Sequence, residues 1–232
     1  MHHRNCISTC PLGGHLMDGR TPGVLDRGHL CCHCLLVETS AGLVLIDTGF
    51  GLRDVAEPRA RLSRFFLALV KPDLREEMTA VRQIQRLGLD DFPHARVHLM
   101  TGERDAALAQ RTWMDRQRFR PQQWATRGQW RTYDGAAGER WMGLECVRDL
   151  HGLPPELLMV PLPGHTLGHV AVAVHTPERW LLLAGDAYFF HRQMDAEAPY
   201  CTPGLRAYLC GWPRRRSVLR RECWKCSCAL HR

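Results

Sequence analysis

Two short stretches of the chain place metal-competent side chains beside glycine: Gly164-His165-Thr166-Leu167-Gly168-His169 and Gly185-Asp186-Ala187. Glycine at such positions lets the backbone turn sharply and lets a ligand approach closely. An imidazole and a carboxylate carried on neighbouring strand ends are suitable donors for zinc or a similar ion. The same side chains also serve as turn caps. Spacing alone leaves both readings of His165 and Asp186 open. A further set of donors lies in Cys223-x-x-Cys226-x-Cys228-x-x-His231. Its soft ligands suffice for a tetrahedral zinc, or they are incidental cysteines in an unstructured tail.

The elements that must hold these side chains can be read from the apolar pattern. Leu157 to Leu162, Val170 to His175 and Trp180 to Ala184 read as three strands separated by turns, with His165 and Asp186 at strand ends. Upstream, residues 29–38 and Leu43 to Gly49 read as a hairpin across Thr39-Ser40-Ala41-Gly42, and Asp47 stands where the second strand stops. Residues 57–70 and 76–88 read as helices, the second stopped by Gly88. Arg96 to Met100 reads as a strand, and Thr101 as the cap of a helix over 102–110. Polar residues on strand ends describe a scaffold with a site on its rim.

In this order, Ile46-Asp47-Thr48-Gly49, Pro163-Gly164-His165-Thr166-Leu167-Gly168-His169 and Leu183-Ala184-Gly185-Asp186-Ala187 resemble the motif series of the metallo-β-lactamase superfamily. The likeness runs from about residue 29 to 192 and is nearest to bacterial lactonase-like metallo-hydrolases. The opening His2-His3-Arg4-Asn5-Cys6 and Cys10-Pro11-Leu12-Gly13-Gly14 are similar to that group as well. The resemblance implies an α+β fold, a four-layer αββα sandwich with its metal site on one edge. It implies that His165 binds one metal, that Asp186 bridges two and serves catalysis, and that Asp47 steadies the site. His169 would lie close by, and Tyr188 and His191 would face a small-molecule substrate. The reaction implied is zinc-dependent hydrolysis of an ester, lactone, thioester or amide. In intact relatives two zinc ions polarise the carbonyl and lower the pKa of a bridging water.

The chain departs from that pattern in its first half. The superfamily's His-x-His-x-Asp-His segment, which supplies most metal ligands, is absent. Gln83 to Asp90 resembles the helix before that segment's strand. Asp91 to His98 resembles the stretch on the far side of the segment, so an internal deletion is expected at Asp90-Asp91. His94 and His98 are not expected to replace the lost ligands: on a strand, residues four apart lie more than about 12 Å apart. The usual last histidine is also missing, and His231 has no preceding strand to present it. Two protein ligands are fewer than the three a catalytic zinc takes. Zinc binding is therefore expected to be weak or absent and activity impaired.

Composition fits a globular chain of 232 residues, with one domain over 1–211 and a basic, cysteine-rich tail over 212–232 expected to be disordered. The formal charge of +7 sits almost wholly in that tail, where seven basic residues face only Glu222. The alternative function is a catalytically inactive fold whose tail contacts a polyanion or nucleic acid. The tail has one Trp beyond Trp212 and no recognised nucleic-acid motif, so that partner is not the expected one. A third possibility is a defective product with no selected function. Neither a membrane span nor a signal peptide is predicted, so a cytoplasmic location is expected, and the oligomeric state is left open. Eleven cysteines, an odd number, argue for reduced thiols, with Cys31, Cys32 and Cys34 packing as small apolar side chains. The region holding Trp113, Trp124, Trp130 and Trp141 suits core packing or the wall of an apolar pocket.

Overall fold

The structure is a computed structural model and describes residues 1–89, 95–124, 129–195 and 197–210. The chain forms two compact units interleaved in sequence. The first is built from Met1–Glu38, Gly42–Val97 and Asp105–Trp130, the second from Thr39–Ala41, His98–Arg104 and Arg131 onward. The expected junction at Asp90-Asp91, His94 and the tail over 212–232 lie outside the described residues.

The first unit is organised by a sheet of β1 (His2–Thr9), β2 (Leu30–Thr39) and β3 (Gly42–Ile46) in the order β1-β2-β3. β1 and β2 are antiparallel, with Cys6 opposite Cys32 and Arg4 opposite Cys34. Directly opposed residues share a sheet face, so Cys6, Cys32, Cys34 and Leu36 point the same way. Against that face packs α5 (Ala80–Gln85), through Ala80 and Ile84, which with Cys6, Cys34 and Leu36 form a buried cluster. Leu36 is 0% and Ile84 1% exposed; burying each contributes about 1.5–3 kcal/mol.

Shorter helices accompany this sheet in the same unit: α1 (His15–Asp18), α2 (Leu52–Ala56), α3 (Pro58–Arg61) and α4 (Arg64–Val70). The helix expected over 57–70 is thus broken. Leu62 is extended, and Ser63 caps the next helix by accepting from the Phe66 N–H at 3.0 Å. A hydroxyl that satisfies an otherwise orphaned helix N–H starts a new helix there. The break is held by Arg61, whose Nε lies 2.7 Å from Asp54 Oδ1 with both side chains largely covered. The helix expected over 76–88 begins as a 3-10 turn, Glu76–Met78, before Thr79 caps α5. Gly88 takes the left-handed conformation, φ 72°, as expected of a helix stop.

β4 (Val97–Met100) precedes α6 (Thr101–Ala109), in which Thr101 is already helical. α7 (Trp113–Arg118) comes next, and β5 (Trp130–Tyr133) pairs with β4.

The second unit is organised by an antiparallel sheet in the order β10-β9-β8-β7-β6. Its strands are β6 (Glu139–Trp141), β7 (Leu144–Asp149), β8 (Leu157–Pro161), β9 (Val170–His175) and β10 (Trp180–Leu183). The three expected strands of this half are all present. Val160, Leu162, Ala171, Ala173, Ala184 and Ala187 form its buried cluster with Leu144 and Val147. Trp141 packs edge-on against Trp180, with ring centroids 5.1 Å apart. In the first unit Trp113 meets Phe65, and Trp124 meets Phe119 and Trp130. Trp124, Trp130 and Trp141 are half-buried in these contacts, whereas Trp113 is exposed. The last described helix is α8 (Pro203–Cys210). No helix among the described residues is long and apolar enough to cross a membrane.

Candidate metal centre

The second sheet explains why His165 and Asp186 meet. β8 and β9 are adjacent and antiparallel, with Pro161 opposite Val170, so the loop between them opens at one end of the sheet. β10 runs antiparallel to β9, with Leu183 opposite Val172, so β10 finishes at that same end. His165 lies on the β8–β9 loop and Asp186 shortly after β10. Strand order alone brings them to one rim.

Their side chains touch. His165 Nε2 lies 3.1 Å from Asp186 Oδ2. The imidazole is mostly covered, at 19% side-chain exposure, whereas the carboxylate is 54% exposed and remains open to solvent. The loop carrying His165 is pinned on both sides. Leu162 N–H donates to the His169 carbonyl at 2.9 Å, and Gly164 N–H to the Thr166 carbonyl at 2.9 Å. Gly168 N–H donates to Glu103 Oε2 at 3.2 Å. A Cβ on Gly168 would stand 2.5 Å from the Glu103 backbone nitrogen, so only glycine allows this approach.

His169 is a neighbour of the pair, with its ring centroid 6.0 Å from that of His165. Its Nδ1–H donates to the Leu162 carbonyl at 3.0 Å, which fixes the ring and turns Nε2 toward Gly185. Tyr188 is exposed, and His191 is exposed with its ring against Phe190, centroids 4.5 Å apart. The aromatic that packs on His165 is Phe189, at 6.1 Å between centroids. Gln193 holds the segment after Asp186 by accepting from the N–H groups of both Phe189 and Phe190 at 2.9 Å. Sequence reasoning missed Glu103, Phe189 and Gln193. Only Phe189, three residues past Asp186, carried any signal. Asp47 belongs to the other unit; its Oδ1 accepts from the Gly49 N–H at 2.9 Å. His98, discounted as a ligand, sits on a strand with Nδ1 2.7 Å from the Tyr133 hydroxyl.

A catalytic zinc takes three protein ligands and a water. Among the described residues, no third histidine, cysteine or carboxylate shares common reach with His165 and Asp186. The pair does not by itself fit a catalytic zinc.

No family model matches the chain. It is 36% identical over 217 residues to a probable metallo-hydrolase of Mycobacterium tuberculosis and equally to one of Mycobacterium bovis, covering 84% of this chain and 64% of each relative. The chain therefore spans just under two thirds of those relatives' length. Among solved structures, it is similar to an N-acyl homoserine lactone hydrolase with N-hexanoyl-L-homoserine bound at its catalytic metal centre. That likeness has a TM-score of 0.62 and 20% identity, covering 95% of this chain and 88% of the other. A B. thuringiensis protein with N-decanoyl-L-homoserine at its active site gives a TM-score of 0.61 and 19% identity, again over 95% and 88%.

Proposed function

We propose that this chain, which has the metallo-β-lactamase fold and is similar to mycobacterial probable metallo-hydrolases, is a zinc-dependent hydrolase of a small-molecule ester, lactone, thioester or amide whose metal site is reduced. The observation that carries the reading is the His165–Asp186 contact at one rim of the sheet, 3.1 Å. Two donors brought together from separate motifs, with a covered imidazole and an open carboxylate, suit the remnant of a metal site better than two unrelated turn caps. The absence of a third ligand among the described residues supports reduced activity. The roles of His169, Tyr188 and His191 toward metal and substrate belong to the same proposal.

The test is zinc content and hydrolysis of an N-acyl homoserine lactone by the full chain, measured beside His165→Ala. The expected result is less than one zinc ion lost on that substitution and a lactone rate little above the variant's. Two tightly held zinc ions that depend on His165, with rapid turnover, would overturn the proposal of an impaired site.

A further inference from the structure

The first unit holds a second group of metal-competent side chains, distinct from His165 and Asp186. The ligand atoms of Cys32, Cys34 and Asp47 all lie within 4.8 Å of one another, and this is the one group of three or more such donors among the described residues. We propose that Cys32, Cys34 and Asp47 form a binding site for a thiophilic divalent cation of the zinc class. The inference is independent of the hydrolase reading.

The strand register creates the site. Cys32 and Cys34 are two apart on β2 and therefore share a face, and Cys6 on β1 is opposite Cys32 on that same face. The turn after β3 lies over them: a Cβ on Gly49 would meet Cys6 Cβ at 3.0 Å, Cys32 Sγ at 3.7 Å and Cys34 Sγ at 3.8 Å. Only a glycine, here at φ 56°, lets the backbone come so close. Asp47 begins that turn in the left-handed region, φ 60°, a conformation few side-chain-bearing residues adopt.

Two observations separate this cluster from ordinary cysteine packing. Cys6 and Cys34, both fully buried, fit the behaviour of small apolar side chains. Cys32 is half-buried and Asp47 exposed, so the cluster opens to solvent along its Cys32–Asp47 side. A carboxylate beside two thiols also gains nothing from apolar packing. The distances suit an ion: tetrahedral zinc with bonds of about 2.3 Å to sulfur sets sulfur atoms about 3.8 Å apart, so a small contraction closes the set. Two sulfurs and one carboxylate select zinc or cadmium over magnesium or calcium, which take oxygen ligands. Water supplies the fourth position. On binding, Cys32 and Cys34 each release one proton to solvent, and each thiolate sulfur donates an electron pair to the cation.

The full chain, reduced and freed of metal, is titrated with Co(II) as the probe. The expected result is a near-ultraviolet thiolate-to-cobalt absorption of one equivalent that Zn(II) displaces. It is lost in Cys32→Ser, a half-buried position where the fold tolerates the change. It weakens about tenfold or more in affinity in Asp47→Asn. It persists in Asp186→Asn, and in Cys226→Ser with Cys228→Ser, which remove donors outside the proposed set. No such absorption, absorption undiminished in Cys32→Ser, or a disulfide among Cys6, Cys32 and Cys34 in the protein as isolated would overturn the site. Because the His165→Ala comparison leaves this cluster intact, failure of the one site is distinguishable from failure of the other.

Discussion

His165 Nε2 and Asp186 Oδ2 lie 3.1 Å apart although a loop and two strands separate them along the chain. The contact has a definite consequence for metal uptake. On the proposed reading, zinc at this pair would be held by one imidazole, one carboxylate and water, so its affinity should be low. His165→Ala and Asp186→Asn should each abolish that weak component. The double variant should lose no more than either single one, because the two act as a unit. Calorimetric zinc titration of the three variants checks this; additive losses would mean that the residues bind separately.

Gly168 fixes the loop that carries His165. A methyl group there would stand 2.5 Å from the backbone nitrogen and Cβ of Glu103, and backbone cannot yield as a flexible side-chain tip does. Gly168→Ala should therefore destabilise the protein by about 1–3 kcal/mol, the usual cost of overpacking. It should also break the Gly168 N–H to Glu103 hydrogen bond. Glu103→Gln keeps the shape and an acceptor oxygen and should cost much less. Denaturant melts of the two variants give the comparison.

Asp18 should make part of the protein's stability dependent on pH. Burial tends to raise its carboxyl, but the Thr21 hydroxyl and the N–H groups of Thr21, Arg20 and His29 all donate to it and hold it far below the usual carboxylate range. A carboxyl with a depressed native pKa binds a proton less readily folded than unfolded. Its contribution is thus fully present above the ordinary carboxylate value, about 4, and falls as acid titrates toward the native pKa. Asp18→Asn should lower stability at neutral pH by about 1–2 kcal/mol and flatten the acid limb of the stability profile below about pH 4. Thermal melts from pH 7 downward measure both effects; parallel curves for wild type and variant would refute it.

The parts of this fold that were legible in the sequence are those whose pattern is local. β8, β9 and β10 are aliphatic runs ended by glycine-bearing turns, and they fall where the sequence placed them. The His165–Asp186 contact is the outcome once those strands are neighbours. β1 was not legible, because His2-His3-Arg4-Asn5 is polar; it becomes a strand by pairing along β2 at the sheet edge. Ser63 reads as one polar residue in a helical run, and only its hydroxyl on the Phe66 N–H reveals two helices. The Cys32, Cys34 and Asp47 group was read as packing plus a supporting carboxylate. The β1–β2 register and the turn at Gly49 that unite it are long-range facts no local window contains.

Restoring the segment that the chain lacks should repair both stability and metal binding. α5 and its Gly88 stop match the helix expected before the superfamily's ligand segment, and β4 matches the strand expected after it. The join at Asp90-Asp91 lies outside the described residues, yet the elements on either side of it are in place. On the proposed reading, the missing piece would be a core strand together with a His-x-His-x-Asp-His loop. Such a loss would remove apolar area that a sheet buries and leave a strand edge without a partner, which favours aggregation. Inserting that strand and loop between Asp90 and Asp91 should raise the melting midpoint and increase zinc affinity by orders of magnitude, since three or more protein ligands would then converge with His165 and Asp186. Cys32→Ser in the repaired chain should leave that gain unchanged, because the added ligands serve the His165 rim rather than the thiol cluster. Lactone hydrolysis should rise above the rate of the original chain. If the insertion raises stability but not zinc affinity, His165 and Asp186 are turn caps and the remnant-site reading falls.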